Sequence, residues 1–503
     1  MFELELKFQI PAERRQALQR AVNTPAASTQ RLQARYFDTP DRRLAAAALA
    51  LRMRKEGPRW VQTLKGAGDG HLKRLEHEVP VAGARGGVPV LDIQRHAGTP
   101  VGKQLLAALD DAAPALALVY QTDIRRTTRL LRSGGALIEL ALDIGEIRAG
   151  DARLPVCELE LELKRGDVAA LTSLASRWAA RHGLWLDVRS KSERGDLLAR
   201  GEPANPPVLA RTPPLHGRLA PDAALRCMVG SCLAHALPNA AAVAGDSGGP
   251  EHLHQLRVAL RRLRSALRLF GDWSPATEAG WSPALATLFS RLGAARDRDM
   301  LTASVWPELM RAGAPALHAP SAPPEADADP LPGETCREPA CTALMLDLMR
   351  FAHGEAPAQP TDTAAEASAS AAADAPRLAT LARQRLKRLH RQLQRDARAF
   401  ATADDAARHR TRKRLKRLRY GVELSAGLSR AKAVKRYLAC LRPAQDVLGR
   451  YNDLCVADAL FRAQLPQDAQ AWFAVGWIAA RREQLLGKAV QAVERLADLP
   501  RVP

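Results

Sequence analysis

Residues 1–10 read MFELELKFQI, and in this stretch charged and apolar side chains alternate. Glu3, Glu5 and Lys7 fall on one face of a β-strand, and the leucines and Phe8 fall on the other, because successive side chains of a strand point to opposite faces. One strand of this kind is most often a solvated edge strand. The fold therefore depends on whether other strands repeat the pattern.

The same alternation recurs through the first 200 residues. The stretch CELELELK at 157–164 mirrors the opening one, and shorter stretches carry polar pairs at the same spacing. The polar positions concerned are Arg52, Arg54, Thr63, Lys65, Arg74, Glu76, Glu78, Glu139, Asp143, Glu158, Glu160, Glu162 and Lys164. Because each of these strands needs cover for its apolar face, a closed antiparallel barrel with a shared charged interior and helices outside explains them together.

The pattern divides the chain into a β-rich part and a helical part. Strands are predicted at 2–10, 33–39, 49–56, 59–66, 72–80, 119–132, 136–147 and 154–164, and helices at 11–22, 101–112 and 166–182. We therefore predict an α+β multidomain chain: an eight-stranded antiparallel β-barrel tunnel with covering helices at 1–203, a Pro-rich linker at 204–218 and an all-α domain at 219–503. Ala/Pro-rich stretches near 312–335 and 354–376 cannot build a core and are expected to be disordered surface insertions.

The composition points to an anionic partner. The formal net charge is +20 and the sequence pI is about 10.2, which fits a nucleic acid, polyphosphate, a nucleotide or an acidic membrane surface. Aromatic residues make up only 4%, which disfavours nucleic acid. No stretch was expected to reach the length of a membrane span, the first residues lack the apolar core of a signal peptide, and the 7 cysteines form no CxxC pair. We therefore expect a cytoplasmic protein without a membrane partner.

The predicted tunnel interior combines two kinds of charge. Carboxylates from the first and last strands are hard oxygen ligands suited to Mg²⁺ or Mn²⁺. Arginines and lysines from the middle strands can bind phosphate oxygens through charge-assisted hydrogen bonds. Because buried charges are costly without partners, such an interior is best understood as a binding site for a metal-bridged phosphate chain.

In this order, the ExExK start, the Arg52–Arg54 pair, the Thr63–Lys65 pair and the ELELEL end resemble the CYTH family, the triphosphate tunnel metalloenzymes. The resemblance covers roughly the first 200 residues. It implies an eight-stranded tunnel and metal-dependent hydrolysis of inorganic triphosphate or a triphosphate ester. Some branches of the family cyclise adenylate or hydrolyse thiamine triphosphate.

The resemblance also implies roles for individual residues. The metal ligands would be Glu3, Glu5, Glu160 and Glu162, completed by Asp143 and Glu158. Phosphates would be bound by Arg52, Arg54, Lys65, Lys191 in RSKSERG, and either Arg125 or Arg126. Strand parity favours Arg125 and the family's spacing favours Arg126. Glu5 and Lys7 would be catalytic, with Lys7 polarising water, and Thr63, Arg74, Glu76, Glu78 and Glu139 would complete the tunnel.

The helical part contains a repeated basic helix. His254, Arg257, Arg261 and Arg264 lie within an arc of about 80° on a helix. His409, Arg412, Lys416 and Arg419 repeat this spacing 155 residues later, with Lys413 beside them. Each helix is followed by a second shared element, LGAARDRD or LGRYNDL. An internal duplication is therefore predicted, with repeats at about 219–311 and 377–503.

Eight Lys or Arg residues fall between Arg408 and Arg419 without compensating acids among them, so this face would repel itself unless an anion neutralised it. Zinc is disfavoured because no cysteine or second histidine stands at ligand spacing. The two helices and the elements after them resemble the CHAD domain, a duplicated helical bundle associated with polyphosphate binding. The implied ligands of polyphosphate are the nine residues from His254 to Arg264 and from His409 to Arg419 named above.

Both parts thus lead to phosphate chemistry. We expect an Mg²⁺- or Mn²⁺-dependent hydrolase that converts inorganic triphosphate to pyrophosphate and phosphate, with a C-terminal polyphosphate-binding domain and association with polyphosphate granules. The alternatives are an adenylate cyclase or organic triphosphatase with the same tunnel, or a polyphosphate-granule binding protein without activity. No aromatic platform for a base is expected among the tunnel-facing residues, which disfavours a nucleoside.

Overall fold

The computed structural model describes residues 2–68, 73–82, 87–110, 115–315, 317–319, 330–354 and 378–503. The chain divides into two compact units. The first unit comprises Met1–Val208, Ala236–His252 and Cys336–Gly354, and the second comprises Leu209–His235, Leu253–Thr335 and Glu355–Pro503. Most of the predicted insertions, residues 320–329 and 355–376, lies outside the described residues.

The first unit contains an antiparallel sheet. Its strands are β1 Phe2–Gln9, β2 Ser28–Asp38, β3 Ala50–Glu56, β4 Arg59–Ala67, β5 Lys73–Val81, β6 Ala117–Ser133, β7 Ala136–Ala149, β8 Ala152–Arg165 and β9 Trp185–Leu186. The order is β5-β4-β3-β2-β6-β7-β8-β1-β9, and β1 also pairs with β5 through Phe2↔Leu75, Glu3↔Arg74 and Leu4↔Lys73. A sheet followed by helices confirms the predicted α+β class. Closure into an eight-stranded barrel stays a prediction.

Two features of the sheet differ from the sequence-based expectation. Strand β2 begins at Ser28 rather than at residue 33, because its polar start pairs with Arg126–Thr128 of β6. The short strand β9 was not predicted at all; it pairs with the end of β1. Neither segment shows a regular alternation of apolar side chains, which is the signal that marked the other strands.

Helices cover the apolar face of the sheet. In the first unit they are α1 Arg15–Val22, α2 Arg43–Ala46, α3 Pro100–Leu109, α4 Val168–His182 and α5 Lys191–Arg200. Helix α4 lies on β6, β7 and β8, where Leu159 and Leu161 are fully buried. The Asp167 carboxylate caps α4 by accepting a hydrogen bond from the Ala170 N–H at 2.7 Å, and Gly183 ends the helix in the left-handed region (φ +64°).

Helix α5 was not predicted, although its first residues drew attention as RSKSERG. Its N-cap is Ser190, whose hydroxyl accepts a hydrogen bond from the Glu193 N–H at 3.1 Å. A Cβ at Gly195 would lie 2.3 Å from the Tyr120 ring, so only glycine lets α5 pack this closely on β6. This close approach places the first turn of α5, with Lys191, against the interior of the sheet.

The remaining helices run from residue 221 to the end. They are α6 Pro221–Ala244, α7 Pro250–Phe270, α8 Trp281–Arg291, α9 Gly293–Met300, α10 Trp306–Arg311, α11 Pro332–Arg337, α12 Pro339–His353, α13 Leu378–Arg398, α14 Asp405–Leu424, α15 Ala431–Gln464 and α16 Ala471–Glu494. Shorter 3-10 turns lie at Ala12–Arg14, Ile93–His96, Gly271–Trp273, Ala426–Leu428 and Arg495–Asp498, and a π-helical turn at Leu301–Val305. Within the first unit, α12 packs against α4.

The basic helices α7 and α14 form because each also has an apolar stripe. In α7, Leu256, Leu260, Leu263 and Leu267 recur at helical spacing and are buried. In α14, Leu415, Leu418 and Val422 do the same. The charged face of each helix is thereby directed away from the core of the second unit.

Among the described residues, one helix is long and apolar enough to cross a membrane. The expectation that no stretch would reach this length was therefore wrong. This helix is α6, with a mean hydropathy of 1.3 over its most apolar stretch. Inside the structure, 67% of that stretch is buried, and a core helix of a soluble protein passes the same test of length and composition.

Candidate functional site

A charged cavity lies on the inner face of the sheet. Its volume is about 470 Å³, and we call it the sheet cavity. The predicted residues that line it are Glu5, Lys7, Arg52, Arg54, Lys65, Glu76, Glu78, Arg126, Glu139, Asp143, Glu160, Glu162 and Lys191. Residues from β1, β3, β4, β5, β6, β7, β8 and the start of α5 thus meet in one place, as the alternating pattern predicted.

The other predicted residues of this site have different positions. Thr63 is buried and donates a hydrogen bond from Oγ1 to Glu78 Oε1 at 3.1 Å, and Glu158 is buried beside the cavity. Arg125 is exposed and does not line the cavity. The side chains of Glu3 and Arg74 lie outside the described residues, although their backbones pair.

Arg126, not Arg125, faces the cavity, so the inference from strand parity was wrong. It assumed that Ile124 belongs to the outer face of β6. Ile124 instead lines the cavity together with Arg126, because one end of the interior is apolar. There Ile124 packs in a cluster with Leu32, Tyr36 and Tyr120.

Three carboxylates and two cations form the densest part of the cavity wall. Arg126 donates from Nε and Nη2 to the two carboxylate oxygens of Asp143, at 2.7 and 2.6 Å, and also contacts Glu160. The Lys191 ammonium lies 2.6 Å from Asp143 Oδ2 and 2.7 Å from Glu160 Oε1, and also contacts Glu158. Helix α5 thus places a cation among carboxylates from β7 and β8.

The electrostatics of this group keep Asp143, Glu160 and Lys191 charged. Burial alone would raise the pKa of Asp143 and Glu160, but Lys191 and Arg126 outweigh it and hold both pKa values below the ordinary range. Burial would likewise lower the pKa of Lys191, but the three carboxylates raise it above that of an ordinary lysine. Asp143, Glu160, Arg126 and Lys191 are therefore ionised at neutral pH.

The arginines on β3 retain donors for another anion. Arg54 Nη2 donates to Glu78 Oε1 at 3.0 Å, and Lys65 lies 3.1 Å from Glu76. Within the described part of the chain, the buried Nε and Nη2 of Arg52 and Nε of Arg54 have no hydrogen-bond partner. Burial, followed by repulsion from Arg52, lowers the pKa of Arg54. A bound anion would relieve that repulsion and satisfy these donors.

Tyr36 and Arg194 belong to the site but were not predicted. Tyr36 lines the cavity, accepts a hydrogen bond from Arg52 Nη1 at 3.2 Å and stacks on Tyr120 with 4.5 Å between the ring centroids. Tyr36 continues the alternation of β2, and this was the signal available; because its ring stacks on Tyr120, it is not an open platform for a base. Arg194 contacts Glu158 from the second turn of α5 and could be found only through tertiary structure.

One group of carboxylates among the described residues can hold a metal ion. It consists of Asp143, Glu158 and Glu160, each of which offers one oxygen, and these oxygens all lie within 4.8 Å of one another. Glu5 and Glu162 are cross-strand neighbours on β1 and β8 and line the same cavity. Hard oxygen donors at this density suit Mg²⁺ or Mn²⁺. The Lys191 ammonium contacts the same three carboxylates, so it and a divalent ion would compete for them.

The second unit contains a basic cavity of about 590 Å³. Four predicted residues line it: His254 and Arg261 from α7, and Lys416 and Arg419 from α14. The two copies of the repeated basic helix thus contribute to one site. Further lining residues that sequence reasoning missed are Arg211, Arg262, Tyr420, Glu423 and Gln445.

The other predicted residues of the repeats do not line this cavity. Arg257 and Arg264 lie over the Phe289 ring, 4.2 and 5.9 Å from its centroid, and Arg257 Nη1 donates to the Phe289 carbonyl at 2.9 Å. His409, Arg412 and Lys413 lie elsewhere on α14, Lys413 being exposed. A helical arc defines a face, but it does not say which neighbouring side chain covers part of that face.

The positive charges in and beside the basic cavity repel one another. Burial, together with Arg412 and Arg261, lowers the pKa of Lys416 to about 6. Arg262 is almost fully buried; its Nη2 donates to the Arg211 carbonyl at 2.9 Å, whereas Nε and Nη1 have no hydrogen-bond partner among the described residues. Such unsatisfied, mutually repelling cations favour a multivalent anion.

Acids do lie close to the basic residues of α14, contrary to the sequence-based expectation. Asp396 on α13 contacts Arg414, Asp405 lies 3.5 Å from Arg408, and Glu423 lies 3.4 Å from Arg419. Part of the helix is therefore an ordinary ion-paired surface. Arg419 and Glu423 also line the basic cavity, so one of its cations is already ion-paired.

Two stretches of the chain match known domain families. Residues 1–195 match the CYTH domain and residues 227–462 match the CHAD domain. A curated relative, the inorganic triphosphatase of Haemophilus influenzae, is 31% identical over 169 residues, which cover 32% of this chain and 44% of the relative. The chain thus matches less than half of that relative's length.

Two solved structures are similar to parts of the chain. The CHAD domain from the plant Ricinus communis is 30% identical, with 60% of this chain and 99% of that chain covered and a TM-score of 0.44. A Hippeastrum protein described by its dominant triphosphatase activity is 16% identical, with 40% of this chain and 96% of that chain covered and a TM-score of 0.28.

Proposed function

We propose that this chain, in which a CYTH domain at residues 1–195 is followed by a CHAD domain at residues 227–462, hydrolyses inorganic triphosphate to pyrophosphate and phosphate. The observation that carries the proposal is the sheet cavity, where carboxylates of β1, β7 and β8 face arginines and lysines of β3, β4 and β6. A metal-bound triphosphate needs both kinds of group. The activity for which the H. influenzae relative is named supports this substrate. The pairing of β1 with β5 supports closure of the sheet into a tunnel.

Mg²⁺ or Mn²⁺ would be held by Asp143, Glu158 and Glu160, with Glu3, Glu5 and Glu162 as further ligands. When bound, such an ion neutralises phosphoryl oxygens and lowers the pKa of a coordinated water. The spacing of the first three carboxylates supports this assignment.

The cations of the cavity would hold the substrate. Arg52, Arg54, Lys65 and Arg126 would bind the phosphate oxygens, with Arg52 and Arg54 using the donors that lack partners in the described structure. Their charge would also stabilise the leaving pyrophosphate as its negative charge grows. Lys191 would turn from the carboxylates to a phosphate once a divalent ion takes its place. Lys7, opposite Glu160 on the neighbouring strand, would orient water.

We propose polyphosphate as the ligand of the basic cavity. A polyphosphate chain is a flexible multivalent anion, and His254, Arg261, Lys416 and Arg419 would contact successive phosphates. The association of CHAD domains with polyphosphate supports this assignment. A cytoplasmic location, association with polyphosphate granules, and the absence of membrane and nucleic-acid partners stay predictions.

The experiment that tests the substrate compares phosphate release from inorganic triphosphate, ATP and thiamine triphosphate by the full chain with Mg²⁺ or Mn²⁺. We expect inorganic triphosphate to be hydrolysed at least about tenfold faster than either ester. The physical reason is that Tyr36 is only 4% exposed and stacks on Tyr120, so it offers no open platform for a base or thiazole ring. Faster hydrolysis of ATP, or its cyclisation, would favour the alternative enzyme.

A further inference from the structure

We propose that Arg189 is a positioning residue that connects the α6–α7 turn, Gly245–Gly249, to the carboxylate Glu158 beside the sheet cavity. All of these residues belong to the first unit. The turn, however, lies in the stretch that matches the CHAD domain, whereas Glu158 lies in the CYTH domain. The inference goes beyond the activity proposed above, because it makes a segment outside the CYTH domain part of the support of the catalytic centre.

The first step of the connection is the guanidinium of Arg189. Its Nε and Nη2 donate to the two carboxylate oxygens of Asp187 at 3.0 and 2.9 Å. Its third nitrogen, Nη1, donates to the hydroxyl oxygen of Ser247 at 3.0 Å. Planar bidentate pairing fixes the orientation of both groups, so the position of the turn determines the position of the carboxylate.

The second step leads from Asp187 to Glu158. Asp187 is 1% exposed, and Gln9 Nε2 donates to its Oδ2 at 3.1 Å and reaches Glu158 Oε2 at 3.5 Å. The Asp187 backbone N–H also donates to the Lys7 carbonyl at 3.0 Å, which ties it to the end of β1. Glu158 is in turn one of the three carboxylates that can hold a metal ion.

The turn is shaped to receive Arg189. A Cβ at Gly245 would lie 2.5 Å from Nη2 and 3.1 Å from Nη1 of Arg189, so any other residue there would displace the guanidinium. The turn is also held independently of it: Ser247 and Gly248 donate their backbone N–H groups to the Ala242 carbonyl at 3.1 and 3.0 Å. Ser247 therefore presents its hydroxyl from a fixed backbone.

The charges around Asp187 couple the position of Arg189 to the orientation of Glu158. Burial alone would raise the pKa of Asp187, but Arg189 and then Arg194 hold this pKa below its ordinary value. Arg194 also contacts Glu158. If Arg189 were displaced, Asp187 would be left as a buried carboxylate with Arg194 as the remaining nearby cation, and Arg194 would be drawn away from Glu158. Glu158 would then lose one of the contacts that orient it towards Asp143 and Glu160, and would keep the contact with Lys191.

The test uses Gly245→Ala and Ser247→Ala in the full chain, with Gly249→Ala as the matched control, because a Cβ at Gly249 meets nothing within 4 Å. The readouts are the dissociation constant of Mn²⁺, measured by electron paramagnetic resonance, and kcat and KM for inorganic triphosphate. We expect Gly245→Ala and Ser247→Ala to weaken Mn²⁺ binding about threefold to tenfold and to lower kcat with little change in KM. Gly249→Ala should match the wild type.

Wild-type Mn²⁺ affinity in both Gly245→Ala and Ser247→Ala would overturn the proposal. If Gly245→Ala does not fold, Ser247→Ala decides alone, because it removes only one hydroxyl group. The Mn²⁺ readout rests on the proposed metal site but not on hydrolysis. A wild type that binds Mn²⁺ without hydrolysing triphosphate would thus contradict the proposed function only, whereas a wild type that binds no Mn²⁺ would contradict both.

Discussion

Glu160→Gln is expected to lower the turnover of inorganic triphosphate by at least about a thousandfold, the largest effect of any single change. The substitution removes the carboxylate charge at the centre of the group that can hold a metal ion. It keeps the shape of the side chain, and Arg126 and Lys191 keep Asp143 as a partner at 2.6 Å each. The fold should therefore persist with a loss of about 1–3 kcal/mol in the free energy of unfolding.

The companion variant Glu5→Gln should also abolish metal-dependent turnover, because Glu5 lines the same cavity opposite Glu162. Glu13→Gln is the matched control, since Glu13 is an exposed acid of the same unit outside the cavity. Phosphate release at saturating metal measures the effect, and thermal melting checks the fold. Wild-type turnover in a folded Glu160→Gln variant would remove Glu160 from the metal site.

The second large effect concerns polyphosphate. In the full chain, Arg261→Ala combined with Lys416→Ala should weaken polyphosphate binding about tenfold to a hundredfold, because both cations line the basic cavity and face each other from the two repeats. Wild-type affinity should fall steeply with salt, and the slope should be smaller in the double variant. Lys432→Ala with Lys435→Ala is the matched control, since it removes two exposed cations outside the cavity.

Binding should also depend on pH. Because burial, Arg412 and Arg261 lower the pKa of Lys416 to about 6, Lys416 must take up a proton at neutral pH when it binds a polyanion as an ammonium. The affinity should therefore rise as the pH falls from about 8 to about 6, and this part of the dependence should vanish in the Lys416→Ala variant. Titrations at several salt concentrations and pH values measure both effects. Unchanged affinity in the double variant would show that these helices present only a solvated surface.

The alternation of side chains predicted much of the first site. A period of two placed Glu5, Lys7, Arg52 and Glu160 on the inner face of the sheet, where they are found. The same rule gave Arg125 instead of Arg126, because it treated Ile124 as an outward residue although one end of the cavity is apolar. Strand parity can assign a residue to the inner or the outer face only when the face of one neighbour is known, and packing determines that face.

Networks between distant segments were beyond the sequence. Asp187, Arg189 and Arg194 form the support of Glu158 only because β9 and α5 fold back along β1 and β8. The sequence also did not show which segments of the chain make up the first unit. Helix α12 packs against α4 although about 160 residues separate them, so a chain cut near residue 205 would expose the covered face of α4.

In the helical repeats, the sequence predicted a basic face but not which of its residues line the cavity. The matched spacing of His254 and Lys416 with their counterparts predicted a shared anion site, and both residues line one cavity. Arg257 and Arg264 have the same spacing but pack on Phe289 of α8. Periodicity identifies a basic face, and tertiary contacts decide which part of it remains available.

The central claim is that the sheet cavity hydrolyses triphosphate with the help of a divalent metal ion. The most direct test is the phosphate released from inorganic triphosphate by the purified full chain, first with Mg²⁺ or Mn²⁺ and then after chelation. We expect release of one phosphate per triphosphate, with pyrophosphate as the other product, that stops on chelation and returns when metal is added back. Release that persists without metal, or no release with either metal, would contradict it.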